Sequence, residues 1–358
     1  MTFLKYFLLP FSWLFDLATR LRNYLYDIGH KKSFQFDSVV ISVGNLNVGG
    51  SGKTPMIEYL INLLGDQYKI ATLSRGYGRK TKGFLIATDQ DNARSIGDEP
   101  YQLFRKFGNK IIVAVGEERA LAIPTILNSN PEVQLIFMDD AFQHRAVVPQ
   151  FSILVTDYSK PFYKDFLLPF GRLREARKGA SRANLVVVTK CTELTSQKED
   201  KIRSSLNLLV GSKPVFFTET KFQAPKPIGH SYAISDEVVL VSAIAKNASF
   251  EHEAAKLFQV KQHFKFPDHH AYSAEEIDSI NKAADTRQVT SILTTEKDMV
   301  KLIASPLFNS VKQKNWFYLP IHTSFIKNGS EFDAIVSHLI IDRLKEVTVA
   351  TENAKTLS

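Results

Sequence analysis

One stretch limits what this chain can fold into more than any other: Gly44-Asn45-Leu46-Asn47-Val48-Gly49-Gly50-Ser51-Gly52-Lys53-Thr54-Pro55. It follows the apolar run SVVISV and precedes the amphipathic run PMIEYLINLL, which carries Ile57, Leu60, Ile61 and Leu64 on one face. A buried strand, a glycine-rich turn and a helix with proline in its first turn make a phosphate cradle, because the free N–H groups of the turn and of the helix N-terminus converge on one anion. The backbone from Gly49 to Thr54, through Gly50, Ser51 and Gly52, supplies those groups, and Asn47 and Val48 open the loop. Lys53 is expected to reach the β and γ phosphates of a nucleotide, and the Thr54 hydroxyl to ligate Mg²⁺. The usual G-x-x-x-x-G-K-T pattern has glycine where this chain has Asn47. Asparagine tolerates a left-handed backbone better than most residues, so the expectation is that Asn47 adopts one.

The rest of the chain extends the same architecture. Five further β-branched runs, KIATLS, KIIVAV, VQLIFM, FSILVT and NLVVVT, alternate with helical stretches, the signature of a parallel sheet with crossover helices. Beyond about residue 215 a smaller set follows: strands PVFFT, EVVLVSA, SILTT and NWFYLP and helices SFEHEAAKLF and SEFDAIVSHLIIDRLKE, after a connector near KFQAPKPIGHSYAISD. The predicted class is α/β: a P-loop NTPase-like, mostly parallel sheet flanked by helices, with an N-terminal membrane-surface helix and a second, smaller α/β domain. The predicted boundaries are 1–30 for the helix, 31–218 for the nucleotide domain, 219–348 for the smaller domain and 349–358 for a polar tail.

The 44% hydrophobic and 23% charged residues exclude a disordered chain, and the surplus of 45 Lys+Arg over 37 Asp+Glu, a net +8, favours anionic partners. No helix-turn-helix, zinc knuckle or aromatic ribonucleoprotein pattern accompanies that charge, so nucleic acid is not an expected partner. The single cysteine, Cys191, cannot close an internal disulfide, and nothing asks for an oxidising compartment.

A nucleotide site needs a carboxylate for its metal. VQLIFMDDAFQHR supplies Asp139 and Asp140 at the end of an apolar strand, the end at which parallel sheets bind ligands. Thr192 stands where a guanine-reading N/T-K-x-D motif needs aspartate, so ATP is the expected nucleotide. Arg119, after KIIVAV, and Arg174, in GRLREARKGASR, are candidates for ATP or transition-state contacts, with Glu175 as a metal-side or orienting carboxylate.

The N-terminal run MTFLKYFLLPFSWLF is too short and too interrupted to span a bilayer, which takes ~20 apolar residues. Leu14, Leu17, Leu21, Leu25 and Ile28 recur at helical spacing opposite Asp16, Arg20, Asn23 and Asp27. The stripe alone fits equally a helix packed on the protein's own core and one lying on a membrane. The second apolar set Phe3, Leu4, Phe7, Leu8 and Phe11, and the basic residues that follow, favour the anionic membrane surface.

GNLNVGGSGKTP, SRGYGR (74–79), GDEP (97–100), DDAFQH (139–144), LLPFGRLRE (167–175) and DHH (268–270), in this order, resemble the tetraacyldisaccharide 4'-kinase family, the lipid A 4'-kinases. The resemblance covers nearly the whole chain and rests on all six segments, since only the glycine loop is specific by itself. It implies phosphorylation of the 4'-hydroxyl of the acylated diglucosamine 1-phosphate precursor of lipid A by ATP and Mg²⁺. It also implies a peripheral position on the cytoplasmic face of the bacterial inner membrane, with no obligate protein partner. By the same resemblance Asp98 is the base, His269 its partner from the second domain, and Glu99 a further Mg²⁺ contact. The competing class is a membrane-cued P-loop ATPase switch of the partitioning or targeting kind. Such switches carry a lysine just before the paired glycines, where this chain has Val48.

Overall fold

The computed structural model describes residues 6–229, 233–244, 247–268, 270–286 and 291–356, with side chains described as far as residue 346. An N-terminal helix, α1 (Leu9–Asp27), leads into a sheet whose first eight strands are β1 (Val39–Gly44), β2 (Ile70–Ser74), β3 (Leu85–Ile86), β4 (Ile111–Val115), β5 (Leu135–Asp139), β6 (Phe151–Asp157), β7 (Leu185–Thr189) and β8 (Val215–Phe222). A second, five-stranded sheet holds β9 (Lys226–Pro227), β10 (Glu237–Ser242), β11 (Gln259–Lys265), β12 (Ser291–Thr295) and β13 (Trp316–Leu319). The chain then returns through β14 (Ile321–Phe325) to the edge of the first sheet, antiparallel to β8.

The spatial order of the first sheet is β14-β8-β7-β6-β1-β5-β2-β4-β3. Its pairs are parallel except for β14 with β8 and β3 with β4. β1 lies at the centre, buried on both faces, which is why its sequence reads Val-Val-Ile-Ser-Val instead of alternating. From β1 the chain winds outward through β2 and returns in β5, then crosses to the other side in β6. The carboxyl end of β1 is therefore the point at which the winding reverses, where open α/β sheets bind ligands.

Four further helices position the site: α2 (Lys53–Leu64), α3 (Asp98–Phe107), α4 (Arg119–Ser129) and, opening the second lobe's crossover after β12, α5 (Glu296–Ile303). A last helix, α6 (Gly329–Thr356), lays Phe332, Val336 and Ile340 on the same core as α2 and β1. The grouping of PVFFT with the second set of strands, and the extent of the smaller domain to residue 348, are thus corrected. PVFFT belongs to the first sheet, since Val215–Phe217 pair with Val186–Val188, and the segment from residue 321 onward also returns there. The second lobe is the insertion between β8 and β14. A linear pass cannot see this, because the final helix and strand have the same composition whichever sheet they join.

The lobes share a core: Ile96, Tyr101 and Val115 pack in one cluster with Val239, Val241, Ile277, Ile292 and Trp316. An ion triad of two buried carboxylates and a solvent-accessible lysine reinforces the junction. Lys106 Nζ on α3 lies 2.6 Å from Glu58 on α2 and 2.9 Å from Glu296 at the start of α5.

Helix α1 is oriented against intuition. Its buried residues are Ser12 and Thr19, while Trp13, Leu14, Leu17, Leu21 and Tyr24 are exposed. It is held on the protein by polar bonds: Ser12 Oγ donates to the Leu167 carbonyl (3.2 Å) and accepts from the Phe170 N–H (3.0 Å), and Arg145 reaches Asp27 at 2.8 Å. The apolar stripe faces away from the protein's own core. Among the described residues no helix is long and apolar enough to cross a membrane.

Candidate active site

The glycine loop emerges from β1 and ends in α2, and the left-handed residues within it are Gly49 (φ 107°) and Gly52 (φ 88°). Asn47 is not among the residues of positive φ, so the expected left-handed Asn47 is corrected. It instead makes an antiparallel bridge with Leu173, and its side-chain amide donates to Asp165 Oδ2 at 2.8 Å. The Val48 N–H donates to the Arg172 carbonyl (2.8 Å) and the Arg174 N–H to the Leu46 carbonyl (2.8 Å), so residues 165–174 are zipped to the front of the loop. An extended position makes no demand for glycine, and the hydrogen bond to Asp165 is a positive reason for asparagine.

The back of the loop is held by β7. Thr189 Oγ1 donates to the Ser51 carbonyl at 2.6 Å, Lys190 Nζ donates to the Gly50 carbonyl, and Lys190 also pairs with Asp157 at 3.6 Å. In the sequence Thr189 and Lys190 read only as part of a possible guanine motif. Their strand-final position beside the loop was the signal available.

Lys53 and Thr54 are both buried at the start of α2, and Lys53 Nζ lies 3.7 Å from Asp140 Oδ1. Arg174 grips Asp140 with both arms, Nη1 to Oδ2 at 2.9 Å and Nη2 to Oδ1 at 2.6 Å, and also donates to the Asn45 carbonyl at 2.9 Å. Burial pushes the Asp140 carboxyl up, but Lys53, Arg174 and Arg119 together hold it below its ordinary value. Asp139 is the opposite case. It is buried, its Oδ1 has no hydrogen-bond partner, and its carboxyl is pushed up to about 8 by burial and then by the charge of Glu99. Two carboxylates adjacent in sequence thus have different environments: Asp140 is neutralised by cations, while Asp139 keeps an acceptor oxygen free.

Glu99 and Asp98 form the first turn of α3, where the helix dipole favours acids. The helix starts from Gly97 (φ 99°), where an added Cβ would lie 3.0 Å from the Tyr77 carbonyl oxygen. The GDEP turn and the SRGYGR loop therefore interlock, and Arg79 fixes the latter through Glu117 at 2.6 Å. Arg119 is buried at the start of α4, its Nη1 donating to the Glu117 carbonyl at 2.8 Å. Desolvation, then the neighbouring Arg75, lowers its pKa, while Asp140, Glu117 and Asp139 pull the other way. It sits in the field of the aspartate pair.

Glu175 does not join this group. It is fully buried and accepts from Arg182 Nη2 (2.7 and 2.9 Å), Gln143 Nε2 (3.0 Å) and Asn23 Nδ2 (3.0 Å). Both oxygens are committed to structure, so its expected metal role is withdrawn. It is the node that ties α1 to the DDAFQH segment. Gln143, which also donates to the Asn45 carbonyl at 2.9 Å, is a supporting residue that sequence reasoning did not single out. His269 lies outside the described residues. Its neighbour Asp268 pairs with Lys297 at 2.9 Å, and His270 bonds Glu276 at 2.9 Å.

Among the described residues no three His, Cys, Asp or Glu side chains gather closely enough to hold a metal alone. Magnesium is ordinarily held by one or two carboxylates together with substrate phosphates. The partnerless Asp139 oxygen, with the adjacent charge of Glu99 and the hydroxyl-bearing Thr54 at the loop's end, suits that ion. The same loop, with the Ser51 hydroxyl also buried and without a partner, suits a nucleoside triphosphate.

A glycine loop at the reversal point of the sheet, with strand-final aspartates, the buried Arg119 and the half-buried Arg174 around it, defines a P-loop phosphotransferase. Comparison with known proteins narrows the class. The family model for tetraacyldisaccharide-1-P 4'-kinase matches residues 4–340. A tetraacyldisaccharide 4'-kinase of Flavobacterium johnsoniae is 42% identical over 351 residues, covering 96% of this chain and 100% of that one. One from Cytophaga hutchinsonii is 38% identical over 356 residues, covering 98% and 100%. The crystal structure of LpxK from Aquifex aeolicus in complex with ATP superposes with a TM-score of 0.74 at 30% identity, covering 94% of this chain and 99% of that one. The chain belongs to the tetraacyldisaccharide-1-P 4'-kinase family and is a lipid kinase that uses ATP and Mg²⁺. The ATPase-switch alternative is not favoured.

Proposed function

We propose that this chain transfers the γ-phosphoryl group of ATP to the 4'-hydroxyl of an acylated diglucosamine 1-phosphate, with roles divided as follows. Lys53 and the loop N–H groups bind the β and γ phosphates, and Arg119 and Arg174 balance charge that develops on the transferred group. Asp139 and Thr54, with Glu99 beside them, hold Mg²⁺, which when bound neutralises phosphate charge. Asp140 anchors Lys53 and Arg174 and leaves the metal to Asp139. Asp98 takes the proton of the acceptor hydroxyl, with His269 orienting it from the second lobe. The observation that carries this division is the contrast within the aspartate pair: both Asp140 oxygens are engaged by Arg174, whereas Asp139 Oδ1 has no partner.

Helix α1 holds the enzyme on the cytoplasmic face of the inner membrane, where an acylated acceptor resides. Its exposed Trp13, Leu14, Leu17 and Leu21 enter the interface, and Arg20, Lys31 and Lys32 meet anionic headgroups. Labelled ATP supplied with and without the acylated disaccharide, followed by thin-layer separation, tests the proposal. Label in the lipid and negligible ATP turnover without it are expected. Equal turnover with and without acceptor would mark a hydrolytic switch instead.

A further inference from the structure

The residues that follow Asp98 along one side of α3 are held by a single buried carboxylate on α2. Asp98, Gln102 and Lys106 stand at i, i+4 and i+8 and so share a stripe of that helix. Gln102 Nε2 donates to Glu58 Oε1 at 2.9 Å, and Lys106 Nζ donates to Glu58 Oε2 at 2.6 Å. Glu58 itself stands one helical turn after Thr54, near the start of the helix that the glycine loop feeds. The two oxygens of one side chain on α2 thus engage two successive turns of α3, on the stripe that Asp98 heads.

The first turn of α3 lies at the site, since the charge of Glu99 acts on Asp139. How α3 is rotated about its axis therefore decides where Asp98 points. Leu103 and Phe107, on the neighbouring stripe, are buried in one cluster with Met56, Ile57 and Leu60 of α2, but apolar burial is non-directional and does not by itself fix that rotation. Two directed bonds, about 5.4 Å apart along the axis, do fix it. Lys106 also meets Glu296 at 2.9 Å, and Glu296 Oε2 accepts from the Ile321 N–H at 3.4 Å, where the chain re-enters the first sheet at β14. Burying carboxylates costs stability that an apolar pair of similar volume would spare. What an apolar pair could not supply is direction.

We propose that Glu58 is a positioning residue for phosphoryl transfer: through Gln102 and Lys106 it sets the rotation of α3 and so aims Asp98 at the acceptor hydroxyl, beside the phosphates that Lys53 holds. It acts without contact to nucleotide or acceptor. The inference rests on the reading of Asp98 as the base.

The test is a double-mutant cycle of Glu58→Ala with Asp98→Ala, with Glu58→Gln and Gln102→Leu beside it. Full-chain enzyme is assayed in mixed micelles with MgATP and the acylated diglucosamine 1-phosphate, and rates are expressed per ATP-binding site counted by isothermal titration, so that unfolded protein does not enter. Glu58→Ala is expected to lower kcat about tenfold or more and to leave KM for ATP within about twofold of wild type. Glu58→Gln, which keeps an acceptor for Gln102, should recover part of that loss, and Gln102→Leu, which removes one bond and leaves the triad, should lower kcat less than Glu58→Ala does. In the Asp98→Ala background Glu58→Ala should change kcat by no more than about twofold, because its effect passes through a group already absent. Wild-type kcat in both Glu58→Ala and Gln102→Leu would overturn the proposal. So would an undiminished loss in the Asp98→Ala background, which would make Glu58 a support of the scaffold while the base reading stands. Wild-type kcat in Asp98→Ala alone would remove the base reading and the proposal with it, so the two failures are read from different variants.

Discussion

Replacing Glu58 by Gln tests the ion triad that joins the glycine-loop helix α2, the GDEP helix α3 and the second lobe. Glu58 is 4% exposed; its Oε1 accepts from Gln102 at 2.9 Å and its Oε2 from Lys106 at 2.6 Å. Burial, and the charge of Glu296, outweigh Lys106 and raise the Glu58 carboxyl from 4.5 to about 7. An acid with a raised folded pKa holds its proton more tightly when folded. Its contribution to stability is full below pH 4.5 and is lost as pH rises through about 7. The rise from 4.5 to about 7, at about 1.4 kcal/mol per tenfold in proton affinity, corresponds to about 3 kcal/mol across that window. Glutamine retains an acceptor for Gln102 and cannot ionise, while Lys106 keeps Glu296 at 2.9 Å. Urea unfolding of both proteins at pH 5 and pH 8 isolates the triad's effect, because titrating groups that do not touch it cancel in the double difference. Wild type should lose about 2–3 kcal/mol more than Glu58→Gln between the two pH values, short of the full figure because the unfolded carboxyl is already mostly ionised at pH 5. Identical pH dependence of the two proteins would refute the reasoning and place the Glu58 carboxyl near its ordinary value.

Lys53→Ala should lower kcat on the order of 100-fold or more while leaving the unfolding midpoint nearly unchanged, checked by initial rates and thermal unfolding. Asp139→Asn should raise the Mg²⁺ concentration needed for half-maximal rate, and Asp140→Asn should instead raise KM for ATP; a magnesium titration of each variant separates the two. Asn47→Gly and Asn47→Val should each cost about 2 kcal/mol through the lost bond to Asp165, without a special penalty for valine, as measured by denaturant unfolding. Asp98→Ala and His269→Ala should each reduce kcat far more than KM for ATP, and the double variant should be little worse than the worse single one. Trp13→Ser with Leu17→Ser should release the protein from anionic vesicles in co-sedimentation while nucleotide binding persists.

The parts of the site that were legible in the sequence are those where local chemistry dictates structure. A glycine loop between a buried strand and a helix has few other uses, and a strand-final Asp139-Asp140 must fall at the ligand end of a parallel sheet. The six runs from SVVISV to NLVVVT became β1, β2, β4, β5, β6 and β7 because residues buried on both faces leave an uninterrupted apolar pattern. What remained hidden depends on partners distant in sequence. Asn47 is extended because Leu173 and Asp165 pair with it, and nothing within the loop specifies that. Glu175 looks like a metal carboxylate beside Arg174 until Arg182, Gln143 and Asn23 are brought around it. The return of β14 to β8, and the outward turn of the α1 stripe, were likewise set by contacts more than 90 residues away, as in Ser324 with Glu219 and Ser12 with Leu167.

The central claim is that the P-loop site directs phosphate to one hydroxyl of a lipid acceptor. Its most direct test is the identity of the product, by phosphorus NMR and mass spectrometry, after wild-type enzyme acts on the acylated diglucosamine 1-phosphate with MgATP. The account predicts one ADP per new phosphomonoester, carried on the 4'-oxygen of the distal sugar, and no product from Lys53→Ala. Phosphate released as the free ion, or esterified at another position, would contradict it.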